Sequence, residues 1–377
     1  EEGKLGGPQV RMLRVAKALG DRAETLIVMP RTNSKPFRKM CESQGVAYRA
    51  IPLTRITKEF PAALAYVLFS PWEILRLSRL FRYEQIDLVH ASGGSLQYKA
   101  VIAARLAGIP VVWHINDTFA PGWVRKLFGV IQPLADGFIY ASYRSQDYYS
   151  ALISPGRPSV VIPSVVDSDH FDPTIEFPQD ADLPSNSDWP IIGTIANVSP
   201  IKGLETLIRA TAHLKQMGHC PHLVIVGSIF DRQRKYHKTL SALAKGVGLE
   251  RIHFIGSRAD VRPLLSRFDV YVCSALAESS PVAVCEAMAM ERPIVSTDVG
   301  DVSRHLEEGA SGFIVSVGDH RTMAARIAQL LEASGLRADM GKKARNNARV
   351  FSHEKIATTT LDFYRLLAPY SQAEGPV

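Results

Sequence analysis

Glu278 and Glu286 stand eight residues apart, on either side of the turn Ser279-Ser280-Pro281. Lys202 and Gly203 close the stretch Ala196-Asn197-Val198-Ser199-Pro200-Ile201-Lys202-Gly203, which runs from an apolar segment into helical periodicity. These residue types divide a chemical task. A carboxylate accepts hydrogen bonds from neutral hydroxyls, such as those of a sugar or a ribose, and repels phosphate. An ammonium beside the free N–H groups of a helix start attracts phosphate. Each motif has a plainer reading of its own: a loop acid with an exposed helical acid in the first case, a Lys-Gly helix start in the second.

Their use depends on what positions them. Residues 268–274 (Phe-Asp-Val-Tyr-Val-Cys-Ser) are β-branched and aromatic and predict a short buried strand, with Glu278 in the loop at its carboxyl end. Ser280 followed by Pro281 predicts a helix start capped by the serine hydroxyl, with Glu286 in the second turn. The segment Ile191–Ala196 predicts the strand before Lys202. The carboxyl ends of strands in open parallel sheets are where such folds take ligands.

The alternation extends along the chain. Helical apolar spacing over Val10–Leu19 follows Gly6 and Gly7, and strands are expected at Thr25–Met29, Ile86–His90, Pro110–Ile115, Phe138–Ser142 and Ser159–Pro163, with a helix over Gln97–Ala107. Residues 166–190, rich in Asp, Pro and Ser, read as a domain connection. The pattern restarts at Ile191 and continues through strands at Leu223–Gly227, Ile252–Gly256, Val270, Ile294–Thr297 and Gly312–Val315. Two Rossmann-like halves are expected, over 1–165 and 191–350, with a final helix over 351–377 packing back on the first. Because such a domain ordinarily opens with a strand before its glycine loop, the first strand is expected to lie outside this sequence.

With 377 residues and 46% hydrophobic content the chain reads as soluble and globular. Its four cysteines have no metal spacing, and His219-Cys220-Pro221-His222 reads as a loop, so no metal site and a reducing compartment are expected. Asp167-Ser168-Asp169 falls in the connection and reads as a turn. The positive charge is lopsided: residues 1–165 hold 21 Lys and Arg against 12 Asp and Glu, a net of +9, while the rest is slightly acidic. That half is expected to meet something anionic. Without a basic tract or zinc finger, nucleic acid is not the expected partner. The apolar run Phe60–Trp72 is too short to span a bilayer and is interrupted by prolines. It leads into a helix with Arg76, Arg79 and Arg82 at helical spacing, which reads either as an ordinary surface helix with a solvated face or as one that docks on an anionic membrane surface.

Taken together, strand then Ser-Pro-x-Lys-Gly, strand then Glu278 and Glu286, and finally Pro293 through Gly300, resemble the retaining glycosyltransferases of family 4, with support from residues 161–171, 252–256 and 261–265. The resemblance implies the GT-B fold: α/β, two Rossmann-like domains with a cleft between them. It implies a nucleotide-sugar donor (UDP- or GDP-sugar) whose diphosphate lies at Lys202, Gly203 and the Gly6-Gly7 loop. Glu286 would then bind the ribose, Glu278 the sugar hydroxyls beside Pro281 and Val282, and Ser257 and Arg258 the base. His114 would stand beside the reacting centre. No cofactor is implied. The acceptor is expected to be a glycan or a lipid-linked molecule in cell-surface polysaccharide or glycolipid synthesis, and the enzyme to be cytoplasmic, peripheral at the inner face of the membrane.

The pattern departs from the family at Asn197, where an arginine usually gives a second cation for the diphosphate, with Arg258 or Arg262 as candidate substitutes. It departs again at Arg304 and at Ser164-Val165. The departure at Asn197 motivates an alternative, a binding or regulatory subunit of the same fold. An NAD dehydrogenase is disfavoured because no Gly-x-Gly-x-x-Gly with a following acid is present.

Overall fold

The computed structural model describes residues 6–55, 60–178, 180–184 and 189–368. The chain forms two compact units, Glu1–Val165 with His353–Val377, and Val166–Ser352.

In the first unit, α1 (Gly7–Leu19), β1 (Ile27–Pro30), α2 (Lys35–Ser43) and β2 (Tyr48–Ile51) lead into α3 (Phe60–Tyr83). Then β3 (Val89–Ser92), α4 (Tyr98–Ala107), β4 (Val111–Ile115), α5 (Gly122–Ile131), β5 (Gly137–Tyr140), α6 (Tyr143–Ser150) and β6 (Ser159–Val161) alternate. β1 and β2 form a parallel pair, and β3-β4-β5-β6 a separate parallel sheet, with Val89 opposite Val111 and Val112 opposite Gly137.

Every side chain of β4 is buried, which is why its sequence is an unbroken apolar run around one histidine. Its alternation divides two layers. Val111, Trp113 and Ile115 pack with Leu77 and Phe81 of α3, Val101 of α4 and Phe128 of α5. Val112 packs with Val15 of α1 and with Ile356 and Phe363 of the last helix. That helix runs His353–Leu367 and belongs to this unit, and a Cβ at Gly137 would lie 2.7 Å from Leu367 Cδ1.

The expected break between an apolar run and a basic helix is absent, because α3 is one helix with Pro71 inside it. A proline removes one N–H, and the helix carries on through its tertiary packing along Tyr66, Leu77 and Phe81. A buried ion pair pins it: Lys99 Nζ donates to Glu73 at 2.5 Å and to the Thr54 carbonyl at 2.9 Å.

The second unit holds one parallel sheet of six strands in the order β12-β11-β10-β7-β8-β9: β7 (Ile191–Ile195), β8 (His222–Val226), β9 (Ile252–Gly256), β10 (Val270–Cys273), β11 (Ile294–Thr297) and β12 (Phe313–Val315). Around it lie α7 (Leu204–Gln216), α8 (Arg234–Gly246), α9 (Arg262–Leu265), α10 (Val282–Ala289), α11 (Val302–His305), α12 (His320–Glu332) and α13 (Ser334–Ala348); the helix after Ser352 is α14. Each face of the sheet has its own core. Val270 and Val272 pack toward α7 and α12, Tyr271 and Cys273 toward α10 and α13. The chain starts at the middle strand β7, runs outward to β9, then returns to β10 on the other side. That reversal between β7 and β10 is the place where doubly wound sheets open a crevice at their carboxyl ends.

Candidate functional site

The loops after β7 and β10, on either side of that reversal, carry the two expected motifs. After β7 the chain makes a 3₁₀ turn over Pro200–Lys202, passes Gly203 with φ +58°, and enters α7. Gly203 is required by more than its dihedral. A Cβ there would lie 2.1 Å from the Ser274 carbonyl oxygen, so the β7 loop packs directly on the start of the β10 loop. Two further bonds fasten them: Leu276 N–H donates to the Ile201 carbonyl at 2.8 Å, and Ser274 Oγ donates to the Lys202 carbonyl at 3.0 Å. Gly203 thus serves the seam between the two loops.

The seam aims Lys202 at Glu278. Its ammonium donates to the Glu278 carboxylate, with both side chains half-buried. The two residues, 76 apart in the chain, therefore form one charged pair. Burial pushes up the thiol of neighbouring Cys273, and the Glu278 charge adds to this, so Cys273 stays a protonated thiol.

Glu286 lies in the second turn of α10 but, against the plain expectation of an exposed helical acid, it is only 8% exposed. It lies by Tyr271, whose hydroxyl is raised by burial, then by Cys273, then by the Glu286 charge. The expected cap is also corrected: Pro281 occupies the N-cap position, no side chain caps α10, and its first residue is Val282. The opening N–H groups of that helix have no acceptor within it. A third loop, after β11, closes on the second. Gly300 has φ +55°, and a Cβ there would lie 2.3 Å from the Ser279 carbonyl oxygen. Thr297 Oγ1 donates to the Ala275 carbonyl at 2.7 Å.

Asn197 is exposed at the tip of the β7 loop. Neither expected substitute cation is available to it. Arg258 donates from Nε to Asp180 at 2.8 Å and also to Asp182, while Arg262 donates to both Asp260 oxygens and to the His170 carbonyl. Ser257 is exposed after Gly256, whose φ is +73°. Asp167 Oδ1 accepts from the His170 N–H in a turn. His219 pairs with Glu332, and His222, at the start of β8, bonds His253 at 3.0 Å. Arg304 is exposed on α11, whereas Ser164 and Val165 are buried.

In the first unit Gly6 is the extended N-cap of α1 and Gly7 its first residue, a glycine loop opening a helix. His114, expected beside the reacting centre, is 0% exposed. It faces α1 and α14 because it shares the Val112 side of β4. Its Nδ1 lies 2.9 Å from Arg11 Nη1 and 2.9 Å from His90 Nε2, and His90 Nδ1 lies 2.5 Å from the Tyr364 hydroxyl. Burial holds His114 well below the usual histidine range, with Arg11 and His90 adding to this. Burial and Arg11 push His90 down to about 3, and burial lowers Arg11 to about 10. Both imidazoles are neutral at physiological pH. The carboxyl end of β4 presents Asn116 and Asp117 instead, and Asp117 Oδ2 accepts from Ser95 Oγ at 2.7 Å.

Sequence reasoning missed Arg11, His90, Tyr364, Ser274 and Gly300. The last two had a signal, a small polar residue or glycine one to three positions past a buried strand. The first three had none, since their partners are up to 274 residues away.

Two family models match the chain, "Glycosyltransferase Family 4" over residues 5–170 and "Glycosyl transferases group 1" over 176–347. Among curated relatives, the D-inositol 3-phosphate glycosyltransferase of a Nocardioides species is 26% identical over 96% of this chain and 86% of its own length. An N,N'-diacetylbacillosaminyl-diphospho-undecaprenol alpha-1,3-N-acetylgalactosaminyltransferase of Campylobacter jejuni is 23% identical, covering 93% of each. Among solved structures, Anabaena HepE in complex with UDP and glucose superposes with a TM-score of 0.80 at 21% identity, over 97% of both chains.

Proposed function

Since the chain belongs to the family 4 glycosyltransferases and is a nucleotide-sugar-dependent transferase of the GT-B fold, we propose that it moves a sugar, with retention, from a UDP- or GDP-sugar to a glycan or lipid-linked acceptor. The observation that carries this reading is the Lys202–Glu278 pair at the reversal of the second sheet. A cation for the diphosphate and a carboxylate for sugar hydroxyls stand side by side there, as a donor with both groups requires. Glu286, one turn into α10, takes the ribose hydroxyls. The opening N–H groups of α10, beside Pro281 and Val282, face the same loop as Glu278.

In the reaction the bond from the anomeric carbon to the diphosphate oxygen breaks through an oxocarbenium-like transition state. The acceptor hydroxyl oxygen bonds that carbon on the same face, and the departing phosphate oxygen takes the hydroxyl proton. The products are a glycoside and a nucleoside diphosphate. Lys202 stabilises the charge that grows on the leaving group, and no protein nucleophile is used. Gly6 and Gly7, opening α1, carry backbone N–H donors of the kind a phosphate takes. His114, neutral and enclosed, holds Arg11 and the end of β4 in place. The acceptor reaches the first unit, whose excess of positive charge faces an anionic membrane surface.

Relatives named as a phosphatidyl-myo-inositol mannosyltransferase, of Mycobacterium leprae, and as the diphospho-undecaprenol transferase of Campylobacter jejuni support an acceptor of this class. Asn197 supports a second reading, a subunit that binds donor without turning it over. A panel of UDP- and GDP-sugars separates the two. The transferase reading expects calorimetric binding of one donor and acceptor-dependent release of its nucleoside diphosphate. Binding without release selects the second reading, and neither binding nor release overturns both.

A further inference from the structure

Helices α3, α4 and α5 form one layer on the first unit's sheet, with α4 packed between the other two. The inner side of α3 is set by Tyr66, Glu73, Leu77 and Phe81, all buried. On its outer side Leu64, Leu68, Trp72 and Leu75 recur at spacings of four, four and three, and all are exposed, Trp72 by 74%. The same stripe continues at Arg79 and Arg82 with spacings of four and three. One face of one helix is therefore apolar along its first half and cationic along its second. On α5, Trp123, Leu127 and Val130 repeat the apolar spacing and are likewise exposed, next to Arg125 and Lys126. The only acid in α3 or α5 is Glu73, which is buried against Lys99.

Apolar side chains with two tryptophans, ringed by cations and free of exposed acid, are complementary to the boundary between acyl chains and anionic headgroups. No helix among the described residues is long and apolar enough to cross a membrane. We infer that α3 lies obliquely in an anionic bilayer interface, its amino-terminal half and the outer face of α5 inserted among the acyl chains and its arginines at the phosphates. This deepens the membrane contact of the proposed function by assigning the inserting residues, and it rests on that reading. The insertion stripe from Leu64 to Leu75 is about 17 Å long. Lipid-linked acceptors then present their head groups to the unit that carries the stripe.

The test uses the full chain and needs no sugar transfer, so it can fail while nucleoside diphosphate release succeeds, or the reverse. The protein is sedimented with vesicles of phosphatidylcholine alone and of phosphatidylcholine mixed with phosphatidylglycerol. Strong recovery with the mixed vesicles is expected, falling with salt, together with quenching of tryptophan emission by brominated acyl chains. Leu68→Glu with Trp72→Glu should lower recovery by at least about tenfold at any salt concentration. Arg76→Glu with Arg79→Glu should lower it by at least about tenfold at low salt and flatten its fall with salt. Neither pair contributes to the core, and circular dichroism should be unchanged. Recovery of Leu68→Glu with Trp72→Glu equal to that of the unmodified protein overturns the inference, as does no recovery of the unmodified protein with either vesicle type. A dimer in free solution that these two substitutions dissociate also overturns it, because the stripe would then pair two copies of the chain.

Discussion

Lys202 and Glu278 hold each other across the loops that follow β7 and β10, so the cation and the acid of the candidate site are one electrostatic unit. Removing either changes the other. Lys202→Ala takes away the leaving-group cation and leaves Glu278 uncompensated, and turnover should fall at least about a hundredfold, about 3 kcal/mol of transition-state stabilisation, with the fold intact. Steady-state rates on the purified variant check this, and wild-type rates would exclude the diphosphate role.

Glu286 is buried in the second turn of α10, by Tyr271. Its replacement should act on donor binding. Glu286→Ala should raise KM for the donor by about tenfold or more with kcat little changed, the pattern of a contact made equally in ground and transition states. A fall in kcat alone would move Glu286 to the reacting centre.

Asn197 is exposed, and Arg258 and Arg262 are already engaged by Asp180, Asp182 and Asp260. Asn197→Arg therefore adds a cation where the loop has none to spare. Donor affinity by calorimetry should rise by at least about tenfold, in line with about 1.5–3 kcal/mol for a charge-assisted bond. An unchanged Kd would show that the diphosphate does not pass this loop tip.

Gly203 combines a left-handed φ with 2.1 Å of clearance to the Ser274 carbonyl. Gly203→Ala should destabilise the second unit by at least about 2 kcal/mol, a fall in Tm of roughly 4–8 °C, and loosen the seam that aims Lys202. Thermal melts read it directly, and an unaltered Tm would mean that the loop shifts at no cost.

The histidines of the first unit predict a pH response. His114 and His90 are neutral in the fold and held below the ordinary 6.5, so below that value the unfolded chain binds more protons than the folded one. Stability is full above pH about 6.5 and should decline as pH falls toward about 3, the value of His90. Urea midpoints should follow this course, and the ring signals of both histidines should not titrate at the ordinary 6.5. A midpoint that stays level would show these imidazoles to be solvated.

The second unit was largely legible because its inner strands β7, β8, β10 and β11 are buried on both faces and stand out as short Ile and Val runs. Each of the six was expected within a residue or two of its observed bounds. β2 was not expected: among the described residues Tyr48-Arg49-Ala50-Ile51 pairs with β1 alone, and Ile51 is its one buried side chain, so it lacks such a run. The unbroken course of α3 through Pro71 was hidden because its support is tertiary. Within the candidate site, the identities of Lys202, Glu278 and Glu286 came from motif and resemblance. Their pairing did not, since it depends on Gly203 and Ser274 pressing two distant loops together. The enclosure of His114 followed from strand parity, which could be read only once the neighbours of Val112 were known.

Because α14 belongs to the first unit, the second is an insertion within it, entered at Val166 and left at Ser352. A ribosome releases the inserted unit whole before the host is complete. Until the last helix emerges, Val112 and Ile139 lack the cover of Ile356 and Phe363, and His90 lacks the hydroxyl of Tyr364. Vectorial synthesis thus finishes the second unit first and leaves the host with an open apolar seam, so that early termination anywhere in α14 yields a half-built host attached to a finished guest.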